Sequence, residues 1–332
     1  MKLTTAGVLR VNFRDFIPDD KRRIRCNFSC NYCNQAGVQE VDFSADDFFQ
    51  ICRLWDKLQI IEDRMLVKAN FDGEIFADKW AQKICFYISN LPNVSRFEFV
   101  TNNSIDPEVY IRNIDPYKVV FNCSFHPDFI SFEKFIEHIK KLNRYGSAAF
   151  ATMVVASERA GELNSIFNRF KNEGILLKPL LLLGRYQPYV PLPLKRIHKN
   201  ICRIIGAKTV FPQAYSKKDL DIIKQYYYSA LEFEYQYGKK TKDELCFAGV
   251  DMINIYKDGT IMRCFGEKLG SVDDLLSGRL CLAKEPYPCF SETCQCPTHM
   301  IFLDNFRKRY RLCDDFLDHY YPKEELVYAE KI

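Results

Sequence analysis

Three cysteines lie close together near the start of the chain, in the stretch RCNFSCNYCNQ at residues 25–35. Cys26, Cys30 and Cys33 have the spacing Cys-x3-Cys-x2-Cys. Thiolates at this spacing can bind three irons of a cubane iron–sulfur cluster, and no fourth cysteine lies nearby to close the site. One iron would keep an open coordination position, which a catalytic metal centre needs and a structural one normally lacks. Zinc, usually bound by paired Cys-x2-Cys knuckles, is the alternative.

A second group of cysteines lies in the last third of the chain. Its members are Cys246, Cys264, Cys289, Cys294 and Cys296. An Asp-Gly pair at 258–259, between apolar runs, predicts a β-hairpin that brings Cys246 and Cys264 to the same end. Cys294 and Cys296 are so close in sequence that both bind one cubane only with a bent backbone, and Cys289 can replace one of them. A zinc site on Cys246, Cys264, Cys296 and His299 is the alternative here.

Composition excludes several classes of protein. The 332 residues carry 47 basic and 43 acidic side chains, a net charge of +4 that does not indicate a dedicated nucleic-acid binder. The apolar run at 175–183 is too short to span a bilayer, and the first residues lack a signal-peptide pattern. We therefore expect a cytoplasmic protein with no membrane partner. Its 14 cysteines are too many for a disulfide framework in that compartment, so some of them are expected to bind metal.

Strand-like runs alternate with helical patterns in the first half of the chain. The predicted strands are 7–13, 64–71, 95–101, 117–125, 148–156 and 175–183, and the predicted helices are 44–59, 75–90, 131–145 and 161–173. This alternation predicts an α/β fold of parallel strands, either an open sheet or a partial barrel, with the chemistry at the carboxyl ends of the strands. The first cysteine group follows the first strand. A single helix is predicted for 216–238.

The motif CNFSCNYC resembles the signature of the radical S-adenosylmethionine (radical SAM) superfamily, Cys-x3-Cys-x-aromatic-Cys, with Tyr32 at the aromatic position. The resemblance implies a partial (β/α)6 TIM-like barrel with a [4Fe-4S] cluster on Cys26, Cys30 and Cys33, whose unique iron chelates S-adenosylmethionine. It also implies reductive cleavage of S-adenosylmethionine to a 5′-deoxyadenosyl radical, which removes a hydrogen atom from the substrate. Tyr32 is expected to pack near the adenine.

The end of the second strand, NFDGEIF, is similar to the family's Gly-Gly-Glu, which holds the ammonium group of the cofactor. Asp72 replaces the first glycine. Gly73 still permits close approach of the backbone, and Glu74 still offers an anionic acceptor. An ordinary strand-to-helix turn with Glu74 in the first helical turn is the alternative.

The ends of the third and fourth strands supply further candidates. FVTNNS is similar to the family's Thr-Asn-Gly, which implies Thr101 and Asn102 as cofactor contacts; Asn103 replaces glycine, as Asn best tolerates positive φ. In VVFNCSFHPD the more polar face is predicted to point into the barrel, where Ser124 and His126 would face the cofactor or the substrate. A histidine in the turn before proline is the alternative for His126.

The stretch from Cys246 to Cys264 resembles the start of the SPASM and twitch extensions of radical SAM enzymes, which bind auxiliary [4Fe-4S] clusters. The spacing of the later cysteines departs from the seven-cysteine SPASM pattern, so one auxiliary cluster, the twitch arrangement, is expected. The resemblance divides the chain into a barrel at 1–238 and a smaller auxiliary-cluster domain with a helical tail at 239–332.

The resemblance implies an enzyme that oxidises, epimerises or crosslinks a peptide, or modifies a sugar-like small molecule. It would use a reductant such as flavodoxin or ferredoxin. Two alternatives stay open: a non-catalytic zinc or iron–sulfur binding or sensing protein, and an RNA-modifying radical SAM enzyme. The near-neutral charge and the lack of a recognisable RNA-binding module argue against a nucleic-acid partner.

Overall fold

The computed structural model of the chain describes residues 1–15, 25–30, 33, 42–182, 215–264, 266–294, 296–312 and 320–322. Cys26, Cys30 and Cys33 are among them, as are the five cysteines of the second group. Tyr32 lies outside the described residues, so its predicted position near the adenine stays a prediction.

Six parallel strands form the main sheet. They are β1 (Val8–Arg14), β2 (Arg64–Asn70), β3 (Val94–Thr101), β4 (Val119–Ser124), β5 (Ala148–Val155) and β6 (Leu177–Leu181). They lie side by side in chain order, each parallel to the next. The connections contain α1 (Ala45–Leu58), α2 (Lys79–Ser89), α3 (Phe132–Arg144) and α4 (Leu163–Asn172). The predicted α/β fold, consistent with a partial TIM-like barrel, is confirmed.

Short 3-10 helices complete these connections. They are Ile75–Ala77, Pro107–Val109, Ile111–Asn113 and Ser157–Glu162. The first of them occupies the start of the helix predicted at 75–90, so that α2 itself begins four residues later. Asp78 ends this first turn and caps α2, because its side chain accepts hydrogen bonds from the backbone N–H groups of Trp80 and Ala81.

The helices bury one face of the sheet. Helix α1 lies in the helix predicted for 44–59 and has Ser44 as its N-cap: Ser44 Oγ accepts from Asp47 N at 3.1 Å, and Ser44 N donates to Asp47 Oδ2 at 3.0 Å. Its apolar side places Trp55 against Phe13 of β1, with ring centroids 5.7 Å apart. Burying a side chain of this size contributes roughly 2–3 kcal/mol, and the many such contacts between helices and sheet hold the strand ends in place.

The remaining strands follow in the C-terminal third. They are β7 (Leu245–Cys246), β8 (Met252–Tyr256), β9 (Thr260–Met262), β10 (Lys268–Ser271), β11 (Tyr287–Pro288), β12 (Tyr310–Leu312) and β13 (Tyr320–Pro322). Strand β8 pairs in parallel with β1, and β9 and β10 extend the same sheet to nine strands. The predicted hairpin turn is confirmed: Gly259 has φ +84°, and Thr260 N donates to Asp258 Oδ1 at 2.9 Å. The hairpin therefore extends the barrel sheet, while the domain boundary at 238 stays a prediction.

The single helix predicted for 216–238 is wrong. Two helices occupy this stretch, α5 (Lys217–Lys224) and α6 (Ala230–Gln236). Ser229 starts the second helix, because its side chain accepts from the backbone N–H groups of Leu231 and Glu232. The predicted end near Gly238 is confirmed by the positive φ of +105° at that residue.

Three short helices, α7 (Val272–Leu276), α8 (Pro297–Met300) and α9 (Asp304–Arg309), complete the described chain. A second, smaller core is formed by α6, α8, α9 and β7, with Tyr235, Met300 and Phe306 among its buried side chains. In the ranges given above, no helix has the length and apolar character that crossing a membrane requires.

Candidate functional site

The three N-terminal cysteines lie at the carboxyl edge of the parallel sheet. Cys30 is buried, and Cys26 and Cys33 are partly exposed. Cys30 packs in a small apolar cluster with Ala156 and Leu182, the residues that directly follow β5 and β6, and Cys33 packs against the same cluster. Cys33 N also donates to Cys30 O at 3.2 Å. The thiols therefore lie where the catalytic groups of parallel α/β folds are found.

Polar contacts attach this loop to neighbouring strand ends. Glu74 N, just after β2, donates to the carbonyl of Arg25 at 3.3 Å. Asn27 accepts from Asn102 Nδ2 at 2.8 Å and donates to Ser104 Oγ at 2.8 Å. Asn27 was not singled out by its position in the sequence, because its partners lie just after β3, about 75 residues away.

The carboxylate of Glu74 holds the ends of β2 and β3 together. Its oxygens accept from Thr101 Oγ1 at 2.7 Å, Asn102 N at 2.6 Å and Phe76 N at 3.1 Å. Burial raises the pKa of Glu74, and these hydrogen bonds oppose part of that rise. The structure thus brings Glu74, Thr101 and Asn102 into one network, beside Gly73. Contact of these residues with S-adenosylmethionine stays a prediction.

Asn103 has φ +54°, as expected for an Asn in the family's glycine position. Its Nδ2 donates to the carbonyl of Phe135 on α3 at 3.1 Å. The turn after β3 is therefore fixed from both sides, by Glu74 and by α3.

The face of the sheet opposite the helices is polar. Lys68 Nζ and Glu98 Oε1 form a buried ion pair at 2.7 Å. Asn122 Nδ2 donates to Glu98 Oε1 at 3.0 Å, and Thr152 Oγ1 donates to Asn122 Oδ1 at 3.0 Å. Ser124 Oγ lies 3.4 Å from Thr152 Oγ1. The prediction that Ser124 points to this interior face is confirmed, and its contact with the cofactor stays a prediction.

His126 lies beside the cysteine loop. Its Nδ1 is 3.5 Å from Cys30 Sγ, and its ring packs edge-on against Phe28 at 5.6 Å. Burial lowers the pKa of His126 to about 4, although the nearby carboxylate of Asp128 acts in the opposite direction. The imidazole is therefore neutral near pH 7.

A buried carboxyl group that we did not anticipate from the sequence follows β1. Asp15 Oδ2 accepts from Asp72 N at 3.3 Å, and its Oδ1 has no hydrogen-bond partner among the described residues. Burial and the neighbouring Asp72 carboxylate raise the pKa of Asp15 to about 8. Asp72, the residue that departs from the family's pattern, therefore lies beside a second acidic side chain.

The five cysteines of the second group line one cavity of about 250 Å³, together with Arg263 and His299. They are Cys246, Cys264, Cys289, Cys294 and Cys296. Cys294 lies among the others: burial raises the pKa of its thiol well above the usual value, and the four neighbouring sulfurs add to that rise. Cys281 is exposed and is not part of this lining. The structure thus brings together every cysteine predicted for the auxiliary site.

A buried arginine and a backbone N–H donor lie in the lining of this cavity. Arg263 is buried, donates to the carbonyls of Ala248 at 2.9 Å and Tyr287 at 3.0 Å, and lies over the Tyr287 ring. Burial raises the pKa of Cys246, while an N–H from Ala248 at 3.5 Å and the charges of Arg263 and Arg307 act in the opposite direction. Thiolates bound to an anionic iron–sulfur cluster are stabilised by such groups, so the residues fit a cluster.

The zinc alternative concerns the same cavity. His299 lines it, and His299 Nε2 also lies 3.3 Å from Asn254 Oδ1 at the inner face of β8. In the described part of the chain, no three His, Cys, Asp or Glu side chains are arranged to hold a single metal ion. Five thiols around one cavity exceed what a zinc site of three cysteines and one histidine uses.

No protein-family model matches the sequence, and no curated protein matches it. Among solved structures, Streptococcus suis SuiB bound to S-adenosylmethionine is similar, with 12% identity and a TM-score of 0.47 over 82% of this chain and 65% of SuiB. This chain therefore spans slightly less than two thirds of SuiB's length. The structure of anSMEcpe with bound AdoMet matches with 16% identity and a TM-score of 0.47, over 80% of this chain and 78% of anSMEcpe.

BtrN in complex with AdoMet and 2-DOIA is a third similar structure, with 10% identity and a TM-score of 0.36 over 82% of this chain and 80% of BtrN. SuiB has also been solved with its precursor peptide SuiA, and anSMEcpe with a Cp18Cys peptide. The identities and TM-scores of these structures are too low for any function to be carried over to this chain.

Proposed function

We propose that this chain is a radical SAM enzyme with one [4Fe-4S] cluster on Cys26, Cys30 and Cys33. The observation that supports this proposal most strongly is the three-thiol loop at the carboxyl edge of a parallel sheet, held against strand ends that carry the other predicted contacts. No fourth cysteine of the described chain belongs to this loop, so a cubane there has one iron open to a ligand. When bound, the cluster supplies an electron to S-adenosylmethionine, whose cleavage gives methionine and a 5′-deoxyadenosyl radical that removes a substrate hydrogen.

The remaining residues of the site bind and orient the cofactor in this proposal. Gly73 and Glu74 receive its ammonium group, and Thr101 and Asn102 keep the Glu74 carboxylate in position through their hydrogen bonds. Ser124, on the interior face, contacts its ribose or carboxylate. Tyr32 offers a stacking surface for the adenine.

The second group of cysteines holds an auxiliary [4Fe-4S] cluster in this proposal. Four thiolates suffice for a cubane, and the cavity offers five. Cys246 and Cys264 are two of the ligands, and the other two come from Cys289, Cys294 and Cys296. When bound, this cluster would supply an acceptor for an electron from the substrate radical or a surface that positions the substrate, and Arg263 would offset its negative charge.

A peptide or a sugar-like small molecule is the proposed substrate. This choice rests on the resemblance to radical SAM enzymes with auxiliary clusters, because the polar side chains Asn122, Thr152 and Lys68 of the interior face are buried and already paired within the protein. The electron for the first cluster comes from a reductant such as flavodoxin or ferredoxin, in the cytoplasm.

Cofactor cleavage by the reconstituted chain tests this function. The full chain is reconstituted anaerobically with iron and sulfide, reduced with dithionite in the presence of S-adenosylmethionine, and assayed for 5′-deoxyadenosine. We expect product from the wild type and from the control Cys281→Ala, whose side chain is exposed and outside both sites, but none from Cys30→Ala. Stoichiometric zinc with no 5′-deoxyadenosine would instead indicate a non-catalytic metal-binding protein.

A further inference from the structure

His126 was predicted to face the cofactor or the substrate. In the structure, its imidazole contacts Cys30 of the N-terminal cysteine group. His126 Nδ1 lies 3.5 Å from Cys30 Sγ, within the range of a hydrogen bond to sulfur. Cys30 is also the buried member of the N-terminal group, whereas Cys26 and Cys33 are partly exposed to solvent. A donor to Cys30 therefore acts where water competes least.

The surrounding structure fixes the imidazole in this position. The carbonyl of His126 accepts from Phe129 N at 2.9 Å and from Ile130 N at 3.2 Å, which holds the turn after β4. Phe28 packs edge-on against the imidazole with an interplanar angle of 77°, and it stacks on Phe129 at 5.0 Å. Phe28 itself belongs to the cysteine loop. The ring and the thiol are thus held together by the same small group of side chains.

We propose that His126 donates an N–H···S hydrogen bond to the Cys30 thiolate and thereby raises the reduction potential of the cluster bound at the N-terminal cysteines. Hydrogen bonds to ligand sulfurs stabilise the more negative, reduced cluster more than the oxidised one. His126 is in this proposal a positioning and tuning residue and contacts neither substrate nor cofactor. The inference rests on the proposed function, because it requires the cluster at Cys26, Cys30 and Cys33.

Redox titration of reconstituted full-length protein, followed by electron paramagnetic resonance (EPR), tests this contact. The signal of the N-terminal cluster is identified by its change when S-adenosylmethionine is added. We expect His126→Phe to lower its potential at unchanged iron content, and His126→Gln, which keeps an N–H donor, to stay closer to the wild type. His138→Gln is the matched control, since that buried histidine contacts the carbonyl of Asn103 and not the cysteine loop.

A wild-type potential in His126→Phe would overturn the inference while leaving the proposed function intact. If His126→Phe does not fold or load iron, a measurement on the wild type decides. Pulsed EPR of protein labelled with ¹⁵N-histidine should show a weak nitrogen coupling to the reduced N-terminal cluster, and no coupling would overturn the inference. A wild-type chain that binds no cluster at the N-terminal cysteines would instead refute the proposed function, and the inference with it.

Discussion

The polar interior of the barrel depends on the ion pair between Lys68 and Glu98, and breaking that pair has a predictable cost. Lys68 Nζ and Glu98 Oε1 are 2.7 Å apart, and the side chains are only 4% and 2% exposed. Because water cannot reach either group, removal of one charge leaves the other buried with less compensation, at a cost of about 3–5 kcal/mol. We expect Lys68→Met to lower the free energy of unfolding by about that amount. The double variant Lys68→Met/Glu98→Gln should recover most of the loss, since Asn122 can still donate to the new amide.

A second ion pair of the same length serves as the control. Lys57 Nζ and Asp273 Oδ1 are also 2.7 Å apart, but their side chains are 51% and 66% exposed. Lys57→Met should therefore change the free energy of unfolding by less than about 1 kcal/mol. Urea denaturation of the full-length variants, followed by circular dichroism, measures both costs. The reasoning from burial would be refuted if Lys68→Met and Lys57→Met lowered the free energy of unfolding equally. It would also be refuted if the double variant lost as much stability as Lys68→Met and Glu98→Gln lose separately, added together.

Three further predictions concern the two sites. Asn27→Ala removes the hydrogen bonds to Asn102 and Ser104, so the reduced chain should lose N-terminal cluster iron to a chelator faster than wild type; equal rates would contradict this role. Cys264→Ser should lower auxiliary iron content, because Cys264 is one of the two fixed ligands of that proposed cluster, whereas exposed Cys281→Ser should not; iron analysis of both variants checks this. The raised pKa of Asp15, about 8 against an ordinary 3.8, means that its contribution to stability is full below about pH 4 and is lost as the pH rises through about 8. That loss is at most about 1.4 kcal/mol per pH unit, and Asp15→Asn should show a flatter dependence of urea midpoints between pH 5 and 8; parallel curves would contradict it.

Features with a local cause could be predicted from the sequence. The capping pair of Ser44 and Asp47, the turn at Gly259 and the positive φ of Asn103 depend on residues adjacent in the chain. Alternation along β4 likewise identified the interior face that carries Ser124. The parallel arrangement of the strands followed from the repeated strand–helix pattern, whereas the choice between an open sheet and a partial barrel followed from the family resemblance.

Features that join distant parts of the chain were missed. The hydrogen bonds of Asn27 and Glu74 go to residues after β3, and the pairing of β8 with β1 joins segments about 240 residues apart. The break before Ser229 was also missed. The apolar periodicity runs through this residue and favours one continuous helix, whereas the side chain of Ser229 caps a second helix that begins there. Spacing brought Cys246 and Cys264 together, but only the fold shows all five C-terminal cysteines around one cavity.

Iron and sulfide counting tests the central claim most directly, since it asks whether both groups of cysteines bind clusters. We expect about eight irons and eight sulfides per reconstituted wild-type chain, the content of two cubane clusters. A chain with Cys26, Cys30 and Cys33 all changed to Ala should retain about four of each and yield no 5′-deoxyadenosine. Equal iron in the two proteins, or zinc in place of iron in the wild type, would contradict the account.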